Sequence, residues 1–289
     1  YTSAFVGSVR GVYETARTID RIADVTINGG RVFVVGNSQA DIGGPKRLWS
    51  IGSYKINGEL DPGFGDNGVA TKIMSDTSSA HALAIDSDGR IYAAGSDNDK
   101  LALLRYQTNG TLDSEFGQEG IVKASIVGRP AGAHAVALDS DDRPVVGGYV
   151  QLGNRRYPAA LRYTTNGDLD PDFGYSGTVI TKVGKSGEIR DLVIQPNQNI
   201  VAVGHVDTPS GSDVLGMRYK PNGSLDPSFG KGGKVITDLG TKGDRANAVT
   251  LDRRGRIVVT GVRGGSDSDF VTLRYRSDGK LDSSFGTAG

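Results

Sequence analysis

Cysteine is absent from the 289 residues, which removes disulfides, thiolate metal sites and cysteine nucleophiles together. Histidine occurs only three times, a narrow base for histidine-driven catalysis. No GxSxG, HExxH or P-loop pattern occurs, so the common hydrolase, zincin and nucleotide-binding chemistries lack their signatures. No apolar run approaches the roughly 20 residues of a membrane helix, so membrane insertion is not expected. Charge of one sign is missing too: Lys+Arg and Asp+Glu both number 33. A nucleic-acid binder carries a basic excess that neutralises phosphates, so nucleic acid is not an expected partner. The chain begins at Tyr1 with no charged-then-apolar leader; the expectation is an export signal already removed.

Glycine, by contrast, is abundant at 43 residues. Without a collagen triplet, that abundance means many tight turns joining many short strands. The turns recur at a fixed period. The string Leu-Asp-x-x-Phe-Gly-x-x-Gly starts at Leu60, Leu112, Leu169, Leu225 and Leu281, at spacings of 52, 57, 56 and 56 residues. Three residues before each Leu stands Asn57-Gly58, Asn109-Gly110, Asn166-Gly167, Asn222-Gly223 or Asp278-Gly279. Asn-Gly and Asp-Gly suit a chain that must take positive φ while reversing.

Between these marks each unit reads as four short strands, for example 234–239, 247–252, 256–261 and 269–275. They are β-branched, Gly-bounded and too short for helices. Four strands in about 50 residues is one blade of a β-propeller. The fold class expected is all-β: a single five-bladed β-propeller over residues 1–289. Its blades fall near 20–74, 80–127, 133–184, 189–240, and 246–289 with 1–7. Ring closure follows from spacing: Gly177 to Gly184 and Gly233 to Gly240 are seven residues apart, and so is Gly289 to Gly7 across joined termini. Residues 2–7 (TSAFVG) match 179–184 (VITKVG), so the first strand is expected to complete the last blade and remove two open edges.

This motif, with its Asn-Gly turn and Leu-Arg-Tyr strand, resembles the delta-60 repeat family of bacterial β-propellers, and its blade logic is similar to that of NHL-repeat propellers. The resemblance covers essentially the whole chain. It implies the propeller fold and an extracellular, periplasmic or cell-surface bacterial protein. It implies no defined reaction and no cofactor. Ser53 departs from the pattern, replacing the Arg of the first Leu-Arg-Tyr strand.

A residue needed once per blade is structural first. Phe64, Phe116, Phe173, Phe229 and Phe285, with Tyr54, Tyr106, Tyr163, Tyr219 and Tyr275, read as packing between blades. Arg105, Arg162, Arg218 and Arg274 are expected to bridge the motif aspartates Asp113, Asp170, Asp226 and Asp282. The turns 86–89, 139–142 and 252–255 lack the spacing of a calcium loop and read as hairpin turns.

Function belongs where the units disagree. The loops 36–47, 95–100, 148–157, 205–213 and 262–269 differ in length and chemistry, and the segment 8–20 is longer than its counterparts. The inner strands begin on that same face, beside the channel. Aligning them stacks Ala23, His81, His134, Arg190 and Asn247 on one rung, with Asp24 and Asp191 one residue on and Arg21, Glu188 and Arg245 just before. Arg21, Asp24, His81, His134, Glu188, Arg190, Asp191, Arg245 and Asn247 are therefore the candidate ligand-binding residues, forming a mixed-charge rim; the plain alternative is a wet, unoccupied rim. The leading expectation is a non-enzymatic recognition or scaffold module for a protein or a polar or glycan ligand. One alternative is a glycan hydrolase using Asp24, Glu188 and Asp191. Another is a metal site from His81, His134 and Asp191, which Arg190 on the same rung opposes in favour of an anion.

Overall fold

The computed structural model describes residues 21–39, 47–264, 268–287 and 289. The expected ring-closing strand, residues 1–7, and the segment 8–20 lie outside the described residues. The fold is a five-bladed β-propeller whose blades are antiparallel sheets. The chain divides into two compact units, Tyr1–Ser125 and Ile126–Gly289.

The first unit holds two blades. Blade 1 is β1 (Arg21–Asn28), β2 (Arg31–Gln39), β3 (Arg47–Lys55) and β4 (Val69–Ile73), paired in that order. Blade 2 repeats the meander with β5 (Ser79–Ile85), β6 (Ile91–Asp97), β7 (Lys100–Tyr106) and β8 (Ile121–Ala124). The second unit holds three. Blade 3 is β9 (Ala131–Leu138), β10 (Pro144–Leu152), β11 (Arg155–Arg162) and β12 (Thr178–Ile180). Blade 4 is β13 (Gly187–Ile194), β14 (Ile200–Asp207), β15 (Ser212–Tyr219) and β16 (Lys234–Thr237). Blade 5 has three strands among the described residues, β17 (Arg245–Leu251), β18 (Ile257–Arg263) and β19 (Asp269–Tyr275).

The two middle strands of blades 2 to 4 are covered on both faces, so they read as continuous apolar runs instead of alternating ones. Apolar cores fill the seams between blades: Ile51, Phe64, Leu83 and Leu104 lie in the first unit. In the second unit, Phe173, Ile189, Leu215 and Met217 share one core, and Val203, Phe229 and Val259 share another.

The repeated motif locks neighbouring blades together. Phe64, Phe116, Phe173 and Phe229 are all buried, each contributing about 1.5–3 kcal/mol of apolar burial. The next blade's Asn-Gly turn sits on the Phe. Gly65 N donates to Asn109 O at 2.7 Å, Gly174 N to Asn222 O at 2.8 Å, and Gly230 N to Asp278 O at 2.8 Å. A Cβ on Gly223, which has φ of +82°, would lie 2.9 Å from Gly174 N and 3.1 Å from the Phe173 ring. Only glycine meets both demands.

The arginine bridges form as the sequence suggests: Arg105–Asp113 at 2.7 Å, and Arg162–Asp170, Arg218–Asp226 and Arg274–Asp282 at 2.8 Å. Each guanidinium also lies over its blade's Phe ring, at 4.4–5.0 Å. Blade 1, where Ser53 replaces the arginine, supplies Arg31 from β2 instead, 3.2 Å from Asp61. The hairpin aspartates Asp86, Asp139 and Asp252 cap two backbone amides of their own turns and pair with Arg90, Arg143 and Arg256. These are turns, as expected.

Candidate functional site

The rung picked out in sequence is structurally special in every blade. Each inner strand carries a β-bulge there. The register skips Ala23 between Ile22 and Asp24, His81 between Ala80 and Ala82, and His134 between Ala133 and Ala135. It likewise skips Arg190 between Ile189 and Asp191, and Asn247 between Ala246 and Ala248. A bulge leaves one residue unpaired and re-aims its side chain, a device common beside binding sites.

The bulge has a sequence cause on the facing strand. Opposite it stand Gly95, Gly148, Gly204 and Gly261 in blades 2 to 5. A Cβ on any of them would fall 1.9–2.0 Å from the carbonyl oxygen two residues before the bulge. The strand-interior glycine thus makes room for the bulge.

The residue after the bulge is a blade connector where it is aspartate. Asp191 Oδ1 accepts from Leu192 N at 2.8 Å, and its Oδ2 accepts from Val249 N of blade 5 at 2.7 Å. Asp24 does the same in the first unit, accepting from Val25 N at 2.8 Å and from Leu83 N of blade 2 at 2.9 Å. Burial pushes the Asp24 carboxyl above its ordinary value, against the opposing pull of those two amides. Both oxygens of each aspartate are therefore engaged with backbone.

In the second unit the residues before and at the bulge assemble a charged cluster around Glu188. Its side chain is only 3% exposed, with Oε1 2.7 Å from Arg190 Nε and Oε2 3.2 Å from Arg156 Nη1. His134 Nε2 lies 3.6 Å from Oε2. Burial alone would raise the Glu188 pKa, but hydrogen bonding and charge from His134, with Arg190 and His205, hold it at about 2. His205 faces Glu188 across the β13–β14 pair. Burial pushes its pKa down, and Arg190 and Arg245 push the same way against the pull of Glu188 and Asp207. Its Nδ1 is buried with no hydrogen-bond partner among the described residues.

Tyr149 braces the cluster. Its ring lies 5.6 Å from that of His134, and the Arg156 guanidinium lies 4.0 Å above it. Arg156 and Arg190 keep their side chains 50% and 39% exposed. One buried carboxylate is thus outnumbered by two accessible guanidiniums, with two imidazoles beside it.

Of the sequence candidates, the structure brings His134, Glu188 and Arg190 together and sets Arg245 near enough to act on His205. Asp191 is turned to the backbone of the next blade. In the first unit, His81 is the half-buried bulge residue of β5, and Arg21 is exposed at the start of β1. Asn247 is exposed on β17. Sequence reasoning missed Tyr149, Arg156 and His205 as individuals. The signal was present, because all three lie in the irregular loops 148–157 and 205–213.

Comparison with known proteins agrees with the repeat pattern. Residues 87–116, 140–173, 195–229 and 255–285 match the sequence profile of a family described as a domain of unknown function (DUF5122) β-propeller. A search of curated proteins gives no match. Among solved structures, the chain is similar to Drosophila plexin A in complex with semaphorin 1b, at 10% identity and a TM-score of 0.52, covering 91% of this chain and 54% of that one. It is also similar to a protein of unknown function from Bacteroides caccae, at 10% identity and a TM-score of 0.48, covering 80% and 67%. Virginiamycin B lyase from Staphylococcus aureus gives 10% identity and a TM-score of 0.48, covering 91% and 74%. At these identities the likeness concerns the fold.

Proposed function

We propose that this chain, four stretches of which match the DUF5122 β-propeller family, is a non-enzymatic recognition module that takes an anionic group at the Glu188 cluster. One observation carries the reading: two partly exposed arginines surround a single carboxylate already neutralised by them. The cationic surplus favours an incoming carboxylate, sulfate or phosphate, and Arg190, at the bulge, stays partly exposed beside its pair with Glu188. His205, with its unpartnered Nδ1, supplies a further polar contact at the same place.

The chemistry of the carboxylates supports binding over hydrolysis. A glycosidase needs a carboxylic acid kept protonated near neutral pH. Glu188, at about 2, is ionised and buried in ion pairs. Asp191 spends both oxygens on backbone amides.

The test is calorimetric titration with uronate- and sulfate-bearing oligosaccharides, acidic peptides and neutral counterparts, on wild type, Arg156→Ala and Arg190→Ala. Anionic ligands should bind with an affinity that falls as salt rises, and each substitution should weaken it about tenfold, a typical loss for one charged contact. Equal binding of neutral ligands, or turnover of any of them, would refute the proposal.

A further inference from the structure

The geometry points to a second, separate site: an oxygen-lined position for a hard divalent cation of calcium size, formed by Asp213, Asp238 and Asp244. One carboxylate oxygen from each lies within 4.8 Å of the other two. That span falls within the reach of two Ca–O bonds of about 2.3–2.6 Å placed end to end, about 4.6–5.2 Å. Three chain segments meet here: Asp213 is the second residue of β15, Asp238 follows β16, and Asp244 immediately precedes β17.

Close backbone contact holds the segments together. Ser212 N donates to Lys242 O at 3.2 Å, and Asp244 N donates to Ser212 O at 2.8 Å. Gly243 and Gly264 pack so tightly that a Cβ on Gly264 would lie 2.4 Å from Gly243 Cα. Asp244 is fixed in place: its Oδ2 accepts from Leu239 N at 2.9 Å, and its Oδ1 accepts from Gly264 N at 3.0 Å and from the Thr241 hydroxyl. The Thr208 hydroxyl donates to Asp213 Oδ2 at 2.8 Å.

Charge supplies the independent argument. Asp213 and Asp244 are 2% and 0% exposed. Every other buried carboxylate among the described residues, from Asp61 to Asp282, stands in an ion pair with an arginine or lysine. Asp97 of blade 2 is typical, with Lys123 at 2.5 Å. Among the described residues Asp213 and Asp244 form no such pair, and Asp213 Oδ1 is buried there with no hydrogen-bond partner. Buried anions placed side by side without a cation are strongly unfavourable. A divalent ion supplies the missing charge and the missing partner for Asp213 Oδ1. The donors are all oxygens, with no His among the three, which selects a hard ion over zinc or copper. Exposed Asp238 leaves the position open to solvent.

The test uses the whole chain stripped with EGTA and titrated with CaCl2, read by calorimetry and by the thermal midpoint. One ion should bind per chain, within the range from about 10⁻⁵ M for sensor sites to about 10⁻³ M for extracellular modules. The midpoint should rise with CaCl2 in step with that affinity, as linkage requires. Asp238→Asn, at an exposed position, should keep the fold and weaken CaCl2 binding by about tenfold or more, the loss of one of three charged ligands. Asp213→Asn should raise the midpoint of the EGTA-treated protein while abolishing the calcium-dependent rise. No response to CaCl2 at about ten times the weakest expected Kd overturns the proposal. Unchanged affinity in Asp238→Asn overturns it too, and MgCl2 binding as tightly as CaCl2 overturns the assignment by size.

Discussion

Replacing Arg218 by alanine should cost the fold about 4–5 kcal/mol, most of it from the aspartate left behind. The Arg218 side chain is 7% exposed and that of Asp226 is 9% exposed. Removing one partner of a buried pair costs about 3–5 kcal/mol. Asp226 retains part of its solvation: Oδ1 still accepts from Ser228, and Asn199 Nδ2 lies 3.3 Å from Oδ2. The low end of that range therefore applies. Two further losses add to it. The guanidinium leaves the Phe229 ring, 4.8 Å away, worth about 0.5–1 kcal/mol. Its 2.6 Å bond to Ser277 O in blade 5 also goes, worth about 0.5–1 kcal/mol. For a chain of this size each kcal/mol moves the melting midpoint by about 2 °C, so a fall of about 8–10 °C is expected in calorimetry. Arg218→Lys keeps the charge but not the planar fork, and should recover about half. Arg276→Ala is the control, since that guanidinium is 53% exposed and only 3.7 Å from Asp278; it should stay within about 0.5 kcal/mol of wild type. If Arg218→Ala melts with Arg276→Ala, or if it lowers affinity for an anionic ligand at an unchanged midpoint, the structural reading of the motif arginines is wrong.

Two other outcomes follow from the cluster around Glu188. Its folded pKa, about 2, lies below the ordinary 4.5, so its contribution is full above about pH 4.5 and fades as pH falls toward 2. Urea titrations across that window should show wild type losing more stability than Glu188→Gln; parallel curves would count against the ion pairs. Gly204→Ala would place a Cβ 2.0 Å from Glu188 O and should destabilise by about 3 kcal/mol, the upper part of the overpacking range. A Gly204→Ala protein with wild-type urea midpoint would show that the bulge at Arg190 does not need glycine across from it.

The blades were legible because their information is local and repeated. The Arg-Tyr strand end and the Leu-Asp-x-x-Phe-Gly string after it set a turn, a buried ring and an ion pair within twelve residues, and the structure returns all three in successive blades. Even the departure at Ser53 was visible, although its remedy was not. Arg31 reaches Asp61 from a neighbouring strand, a contact that only the register of β2 against β3 reveals. The bulges were half legible. Alignment found the right rung, but the rung residues Ala23, His81, His134, Arg190 and Asn247 share no chemistry that marks a bulge. The mark sits across the ladder at Gly95, Gly148, Gly204 and Gly261. Asp24 and Asp191 looked like rim ligands for the same reason: sequence shows a carboxylate one residue past the rung, and only the fold shows it bonded to the next blade's amide. Asp213, Asp238 and Asp244 are spread over 32 positions of sequence, so nothing local announced their meeting.

The bulges also separate two vocabularies within one repeat. Much of what fastens blade to blade is written in the shared motif and in the glycine facing the bulge, with Asp24 and Asp191 each adding a bond to the next blade. The skipped residue takes no part in the strand register, because its own backbone falls outside the ladder. It can be alanine, histidine, arginine or asparagine without the hinge letters changing. The chain thereby holds a five-character word, one character per blade, on a frame that does not read it. Rewriting that word by single substitutions should leave the structural grammar intact.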